Sequence, residues 1–187
     1  MERIAAGVPA PAPPADVRTV RAAASGDLAA FEAVAEASLG PAFRLAAAIL
    51  GDAAEAGLAV QHALVAAWHA LPRLDGPEGF DAWFRRLLVD ECRMRLRQRE
   101  PSFRPVPAPR FDGPIIEPDA ADRAAVLSLL EAAFERLDVD DRAIVALHRL
   151  EGCPAAEIAT LLHLPAGTVE LRLDEAHATL VRALETV

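Results

Sequence analysis

Residues 101–119, PSFRPVPAPRFDGPIIEPD, hold six of the chain's fifteen prolines and almost no helical spacing of apolar residues. Proline removes a backbone donor and clashes with the preceding turn of a helix, and it is excluded from central strands. A stretch this long and this rich in proline is therefore a linker, too long for an ordinary loop within a compact domain. It divides the 187 residues into two units, and each must bury a core of its own.

Both units read as helical. After a proline-alanine arm over residues 1–16, with no periodicity and a disorder-prone composition, order is expected from about Val17. Asp27 is placed to cap a helix carrying Leu28, Phe31, Val34, Ala35 and Leu39 at 3.6-residue spacing. Gly40-Pro41 is expected to end that helix and open a second one, through Phe43, Ala46, Ala47 and Leu50 to Gly51. Asp52 opens a third over about Ala53–Leu71, and Pro72–Gly79 is turn-rich. In the fourth, Phe80, Trp83, Phe84, Leu87 and Leu88 make one buried face. Arginines 93, 95, 97 and 99 then continue that helix beyond its packed part, so that cations stand at a fixed place. The same run also suits a solvated last turn whose cations favour the helix dipole.

The second unit, residues 120–187, opens with a helix carrying Val126, Leu127, Leu130, Phe134 and Leu137. Asp138–Asp141 is a polar break and N-cap before Ile144, Val145, Leu147 and Leu150. Gly152-Cys153-Pro154 turns into Ala155–His163. Leu164–Gly167 is the next turn, and Thr168 is placed to cap a last helix whose buried face is Val169, Leu173, Ala176 and Leu180. Two short helices separated by such a turn suit a helix-turn-helix, and equally an ordinary helical hairpin. The fold class is all-α: a four-helix domain over 17–100, the linker over 101–119, and a helix-turn-helix domain over 120–187.

Composition narrows the function. A net charge of -9 argues against a generic nucleic-acid binder, so any contact with DNA must be local. The charge is uneven. Trp83–Arg99 carries six arginines against Asp90 and Glu91, whereas Asp119–Val187 carries thirteen acids against six arginines. There is no phosphate-cradling glycine loop, and the five histidines form no HExxH or nucleophile-base pattern. No enzyme is expected, nor any cofactor or metal site. Asp138, Asp140 and Asp141 are explained by capping. Cys92 and Cys153 lack metal-ligand spacing and suit a reduced, cytoplasmic protein. The residues show no signal peptide and no uninterrupted apolar run of membrane-spanning length, so membrane insertion is not expected.

In order, the motifs resemble the extracytoplasmic-function (ECF) group of bacterial sigma factors, the promoter-recognition subunits of RNA polymerase. Ser25–Phe31 is similar to the family's opening segment, and Gly51–Ala56 with Val60-Gln61 resembles its core-binding helix. Ala82-Trp83-Phe84 through Arg97 resembles the helix that opens and reads the minus-ten element. Leu137–Arg142, Glu151-Gly152, Glu157-Ile158-Ala159 and Gly167-Thr168-Val169 resemble region four, which reads the minus-thirty-five element. The resemblance implies core RNA polymerase and promoter DNA as partners, and an anti-sigma factor as a further one. It implies polymerase contacts at Leu58, Gln61 and His62. DNA contacts would fall at Trp83, Arg86, Asp90, Arg93 and Arg97 on the promoter-melting helix, and at Thr168, Glu170, Leu171, Arg172 and Glu175 on the recognition helix.

The departures fall on those same positions. Gly57 and Leu58 stand where the family carries acids, and His62 follows Gln61. Asp90 and Met94 replace the usual Asn and Asp. The recognition helix reads Gly167-Thr168-Val169-Glu170-Leu171-Arg172-Leu173-Asp174-Glu175-Ala176-His177, so its usual serine and two arginines are gone and three acids have arrived. Duplex affinity comes largely from cations at phosphates, and an acidic face repels them, although a carboxylate can accept from a cytosine amino group. Two functions are therefore open: a working, divergent sigma factor, or a sigma-like interaction protein that binds an anti-sigma factor or another regulator.

Overall fold

The computed structural model describes residues 15–98 and 128–184. Among them there are helices and turns but no strand. The arm before Ala15, the linker, Val126 and Leu127 lie outside the described residues.

Helix α1 is Val17–Ala24, capped by Asp16, whose carboxylate accepts the Thr19 amide. Helix α2 is Leu28–Leu50, capped by Asp27 on the Ala30 amide and closed by Gly51 in the left-handed region (φ +66°). A side chain at that backbone angle would be strained, so the glycine sets the corner into α3, Ala53–Ala70, which Asp52 caps. Two single 3-10 turns lead to α4, Phe80–Gln98. In the second half, α5 covers 128–135, α6 is Val139–Arg149, α7 is Ala155–Leu162 and α8 is Ala166–Leu184. Asp138 caps α6 by accepting the Asp141 amide at 2.8 Å, as its position in the sequence predicts.

The expected break at Gly40-Pro41 is absent: α2 runs straight through it, with Pro41 inside. An interior proline costs about 3 kcal/mol, yet Val34 before it and Ala42, Leu45, Ala46, Ile49 and Leu50 after it are all buried. Burial of several such side chains, each worth about 1–3 kcal/mol, outweighs the lost hydrogen bond. The uninterrupted α2 is also, by length and composition, long and apolar enough to cross a membrane, although Glu32, Glu36 and Arg44 interrupt its apolar run. In this fold it is the central core helix, packed on α1, α3, α4 and α6.

Thr168 does not cap α8. The helix begins two residues earlier, and the Thr168 and Val169 amides both bond to the Pro165 carbonyl, so Thr168 sits within the first turn. Proline at the expected turn supplies the helical start that the hydroxyl was expected to supply.

The halves meet along one seam. Ala143, Ile144, Ala146 and Leu147 of α6 join the same buried cluster as Leu45, Ile49 and Leu50 of α2. Arg142 fastens this seam. Its guanidinium donates to the Ile49 carbonyl at the end of α2 (3.3 Å), to Leu137 (3.0 Å) and to Glu135 (2.6 Å). These carbonyls lie at or just beyond the C-termini of α2 and α5, where amide donors run out and the helix dipole favours a cation.

Candidate nucleic-acid interface

Helix α4 carries two opposed stripes. Phe80, Phe84, Leu88 and Cys92 are buried, and the Phe80 and Phe84 rings stack at 5.7 Å. Trp83, Arg86, Asp90, Arg93 and Arg97 follow one another along another face, because steps of three and four residues keep them in line. Trp83 is half-buried and tilts against Phe80, so most of its ring anchors the helix. Asp90 and Arg97 are exposed, and Arg86 is half-buried with no ion pair among the described residues.

Arg93 and Arg95 do not stand beyond the packed part of the helix, as their spacing suggested, and Arg99 lies outside the described residues. Arg93 is only 14% exposed; its Nε donates to Asp140 of α6 at 2.8 Å, and its Nη1 lies 3.6 Å from Asp90. Arg95 donates to Glu91 (2.9 Å) and to Glu55 of α3 (2.8 Å), and Glu91 also meets His62 Nδ1 at 3.1 Å. Arg97 remains an exposed cation. Glu55 of α3 and Asp140 of α6 are distant in the sequence, so no local pattern shows them and the run reads as solvated. Arg85, assigned no part by the motifs, pairs with Glu151 (3.3 Å) and Glu157 (3.2 Å) of the second half.

On α3, Leu58, Gln61 and His62 are exposed on one face, with Val65 continuing it. Leu58 is 44% exposed, so this helix shows apolar surface that the fold does not cover. His62 ties that face through Glu91 and Arg95 to α4.

Helix α8 buries Val169 and Ala176, with Leu173 and Leu180 half-buried. Glu170, Leu171, Asp174 and Glu175 all face outward, and Leu171 is 57% exposed. Its single central cation, Arg172, is turned to the α6 N-terminus, where Nη1 lies 3.2 Å from Asp141, 3.7 Å from Asp138 and 3.9 Å from Asp140. Burial, together with Asp138, Asp140 and Glu175, raises the Asp141 pKa above 3.8 despite the opposing pull of Arg172. The face that would meet a groove is thus acidic and apolar. Glu170, Leu171 and Glu175 stand there as the spacing predicts, whereas Arg172 is engaged elsewhere and Thr168 is half-buried.

Neither cysteine offers chemistry. Cys92 and Cys153 are buried, and loss of solvation pushes their thiols up to about 12 and about 11.

Known proteins decide what this arrangement is. Residues 34–101 match the model of sigma-70 region 2, and residues 127–180 match that of sigma-70 region 4. RNA polymerase sigma-H factor of Pseudomonas aeruginosa is 30% identical over 147 residues, 72% of this chain and 75% of that protein. The chain belongs to the sigma-70 family. ECF RNA polymerase sigma factor SigL of Mycobacterium tuberculosis, 31% identical over 173 residues, covers 88% of this chain and 92% of its own length, which places the chain in the ECF group. The solved structure of CnrH in complex with the cytosolic domain of CnrY superposes with a TM-score of 0.66 at 29% identity, over 92% of this chain and 99% of that one. A Bartonella quintana sigma factor RpoE, in complex with the anti-sigma factor NepR, shares the fold with a TM-score of 0.61 at 21% identity. This ECF sigma factor is therefore a two-part helical protein that directs RNA polymerase to promoters at transcription initiation.

Proposed function

We infer that this sigma factor engages its promoter chiefly through α4, that the α3 face at Leu58, Gln61 and His62 meets core RNA polymerase, and that α8 adds little affinity for duplex DNA. The contrast between the two candidate DNA faces carries this reading. Helix α4 keeps Arg86 and Arg97 available along one stripe beside the edge of Trp83, whereas α8 presents Glu170, Leu171, Asp174 and Glu175 and turns Arg172 inward. Stacking and phosphate contact are what single-stranded DNA needs, and acids along a groove-facing helix oppose the counterion release that drives duplex binding. The protein acts in the cytoplasm with the polymerase, without a catalytic role or cofactor of its own. The two structural relatives solved as complexes with CnrY and NepR support an anti-sigma factor as a further partner.

The acidic face of α8 also favours a second reading, a sigma-like protein whose main partner is another regulator. One set of measurements separates the two. For the first reading, the protein captures core polymerase and forms open complexes. R93A/R97A retains capture but loses open complexes, and E170R/E175R raises non-specific duplex affinity, steepening the salt slope by about 2. Leu58→Asp restores an acid to the polymerase-facing helix and is expected to strengthen capture. Tight, sequence-specific duplex binding by the native α8 would overturn the division of labour. Failure to capture polymerase, with Leu58→Asp abolishing binding to a different protein, would establish the second reading.

A further inference from the structure

Four side chains lock α3 to the end of α4. Arg95 of α4 donates through Nε to Glu91 one turn earlier (2.9 Å) and through Nη1 to Glu55 of α3 (2.8 Å). Its Nη2 also lies 3.1 Å from His62 Nδ1, and that nitrogen stands 3.1 Å from Glu91 Oε1. A neutral His62 ring can accept from the guanidinium, and a protonated one can donate to the carboxylate. Arg95 and Glu91 are each only 13% exposed, so their attraction is screened less than that of a surface pair. Burial disfavours the Arg95 charge, yet Glu55 and Glu91 more than offset it and hold its pKa above the ordinary value. Neither the promoter-melting stripe nor the polymerase-facing set includes Arg95. We propose that Arg95 is a positioning residue for promoter opening, pinning the last turn of α4 to the polymerase-facing helix α3 so that Arg97 is held where single-stranded DNA can meet it.

The proposal rests on the polymerase-facing and promoter-reading assignments of α3 and α4 made above. The last turn of a helix has carbonyls without amide partners, and it frays readily. In α4 that turn carries Arg97 and Gln98, both exposed, while Leu96 is half-buried against the core. One apolar contact at Leu96 leaves the turn free to rock about it. An arginine fork held by two carboxylates fixes direction as well as distance. Arg97 is two residues further on, so its guanidinium follows the rotation of the turn that Arg95 fixes. His62 carries the same network to the other partner. It is 57% exposed on the face that would meet polymerase. Covering it would take water away from Glu91 and Arg95, and their attraction strengthens as the local dielectric falls. Polymerase contact on α3 therefore tightens the end of α4, so that binding the polymerase readies the promoter stripe.

The test uses holoenzyme assembled from core polymerase and the full chain, on a promoter fragment that the wild-type holoenzyme selects from the native genome. Arg95→Ala should capture core polymerase as wild type does and form open complexes several-fold less. The loss should run through Arg97: R95A/R97A should be no worse than R97A alone, because a misplaced Arg97 and a missing one cost the same. Arg95→Lys, a single point charge in place of a fork, should recover only part of the yield. Asp27→Ala, which removes the α2 cap and lowers stability elsewhere, should leave the yield unchanged. Hydrogen exchange reads the pin directly. Amides of residues 95–98 should exchange several-fold faster in R95A than in wild type, and core polymerase should slow them further in wild type alone. If R95A loses helix by circular dichroism, E55Q, which leaves the Glu91 bond in place, takes its place with the same expectations in smaller measure. Open-complex yield unchanged in R95A, equal losses of capture and opening, or losses that multiply in R95A/R97A would overturn the proposal. So would unchanged exchange over 95–98, or a polymerase-dependent slowing that R95A keeps. Should the wild type capture no polymerase, the proposed function falls, and exchange in the free chain still decides whether Arg95 pins the turn.

Discussion

Asp141 shows how a single carboxylate can be held against its own interest. It lies at the start of α6 among Asp138, Asp140 and Glu175, partly desolvated, with Arg172 as the one cation in reach among the described residues. The sum raises its pKa in the folded state, so the folded chain holds its proton more firmly than the unfolded chain does. The cost of ionising it is fully present well above the folded pKa and disappears below the ordinary value of 3.8. Asp141→Asn should therefore be more stable than wild type at neutral pH, with the difference shrinking as pH falls towards 4 and absent below it. Urea midpoints across that range check it; a gain that grew on acidification would show that Arg172 dominates the site after all.

Among the elements, α2 and α6 carry the seam, and Arg142 is its fastening. Truncating it leaves the carbonyls of Ile49, Leu137 and Glu135 without this charged donor, at helix ends where replacement donors are scarce. Hydrogen bonds to a charged group contribute about 1.5–3 kcal/mol, so Arg142→Ala should lower stability by roughly 2–3 kcal/mol. Arg142→Lys, with a single point charge in place of a fork, should recover only part of it. Chemical denaturation of the full chain reads both. The local signals were sufficient for most helix ends. Asp27, Asp52 and Asp138 each cap a helix through a carboxylate as expected, and Asp16, read as part of the disordered arm, caps α1 in the same way. They failed at Pro41, where the core on both sides overrides a local breaker, and at Thr168, where Pro165 starts the helix first.

At the scale of the whole molecule, the proline-rich stretch and the seam make opposite demands. The stretch favours cleavage, and the seam keeps its products together. Trypsin should cut between Arg99 and Arg123, and the two fragments should co-elute at low salt because Leu45, Ile49 and Leu50 still pack on Ile144 and Leu147. Raising salt, or the Asp140→Arg substitution, should let them separate more readily. Fragments that part at once at low salt would mean that the packing of α6 on α2 is too weak to hold the halves together.

The sequence by itself determined the helical class, the two matching regions, the buried face of α4 and the outward acids of α8, because each depends on the 3.6-residue period of a single helix. The family resemblance, read from the same residues, further implied that Leu171, Glu175 and His177 stand where relatives carry a serine and two arginines. The partners of the arginines were decided only in three dimensions. Arg93 finds Asp140, Arg85 finds Glu151 and Glu157, Arg95 finds Glu55, and Arg172 finds Asp141, across separations of 31 to 72 residues for the pairs that are hydrogen-bonded. No periodicity within one element encodes such a pairing. For Arg93 and Arg85 it arises because α6 and α7 pack on the first half and bring its arginines against acids of the second; Arg95 meets Glu55 where α4 packs on α3, and Arg172 meets Asp141 where α8 packs on α6.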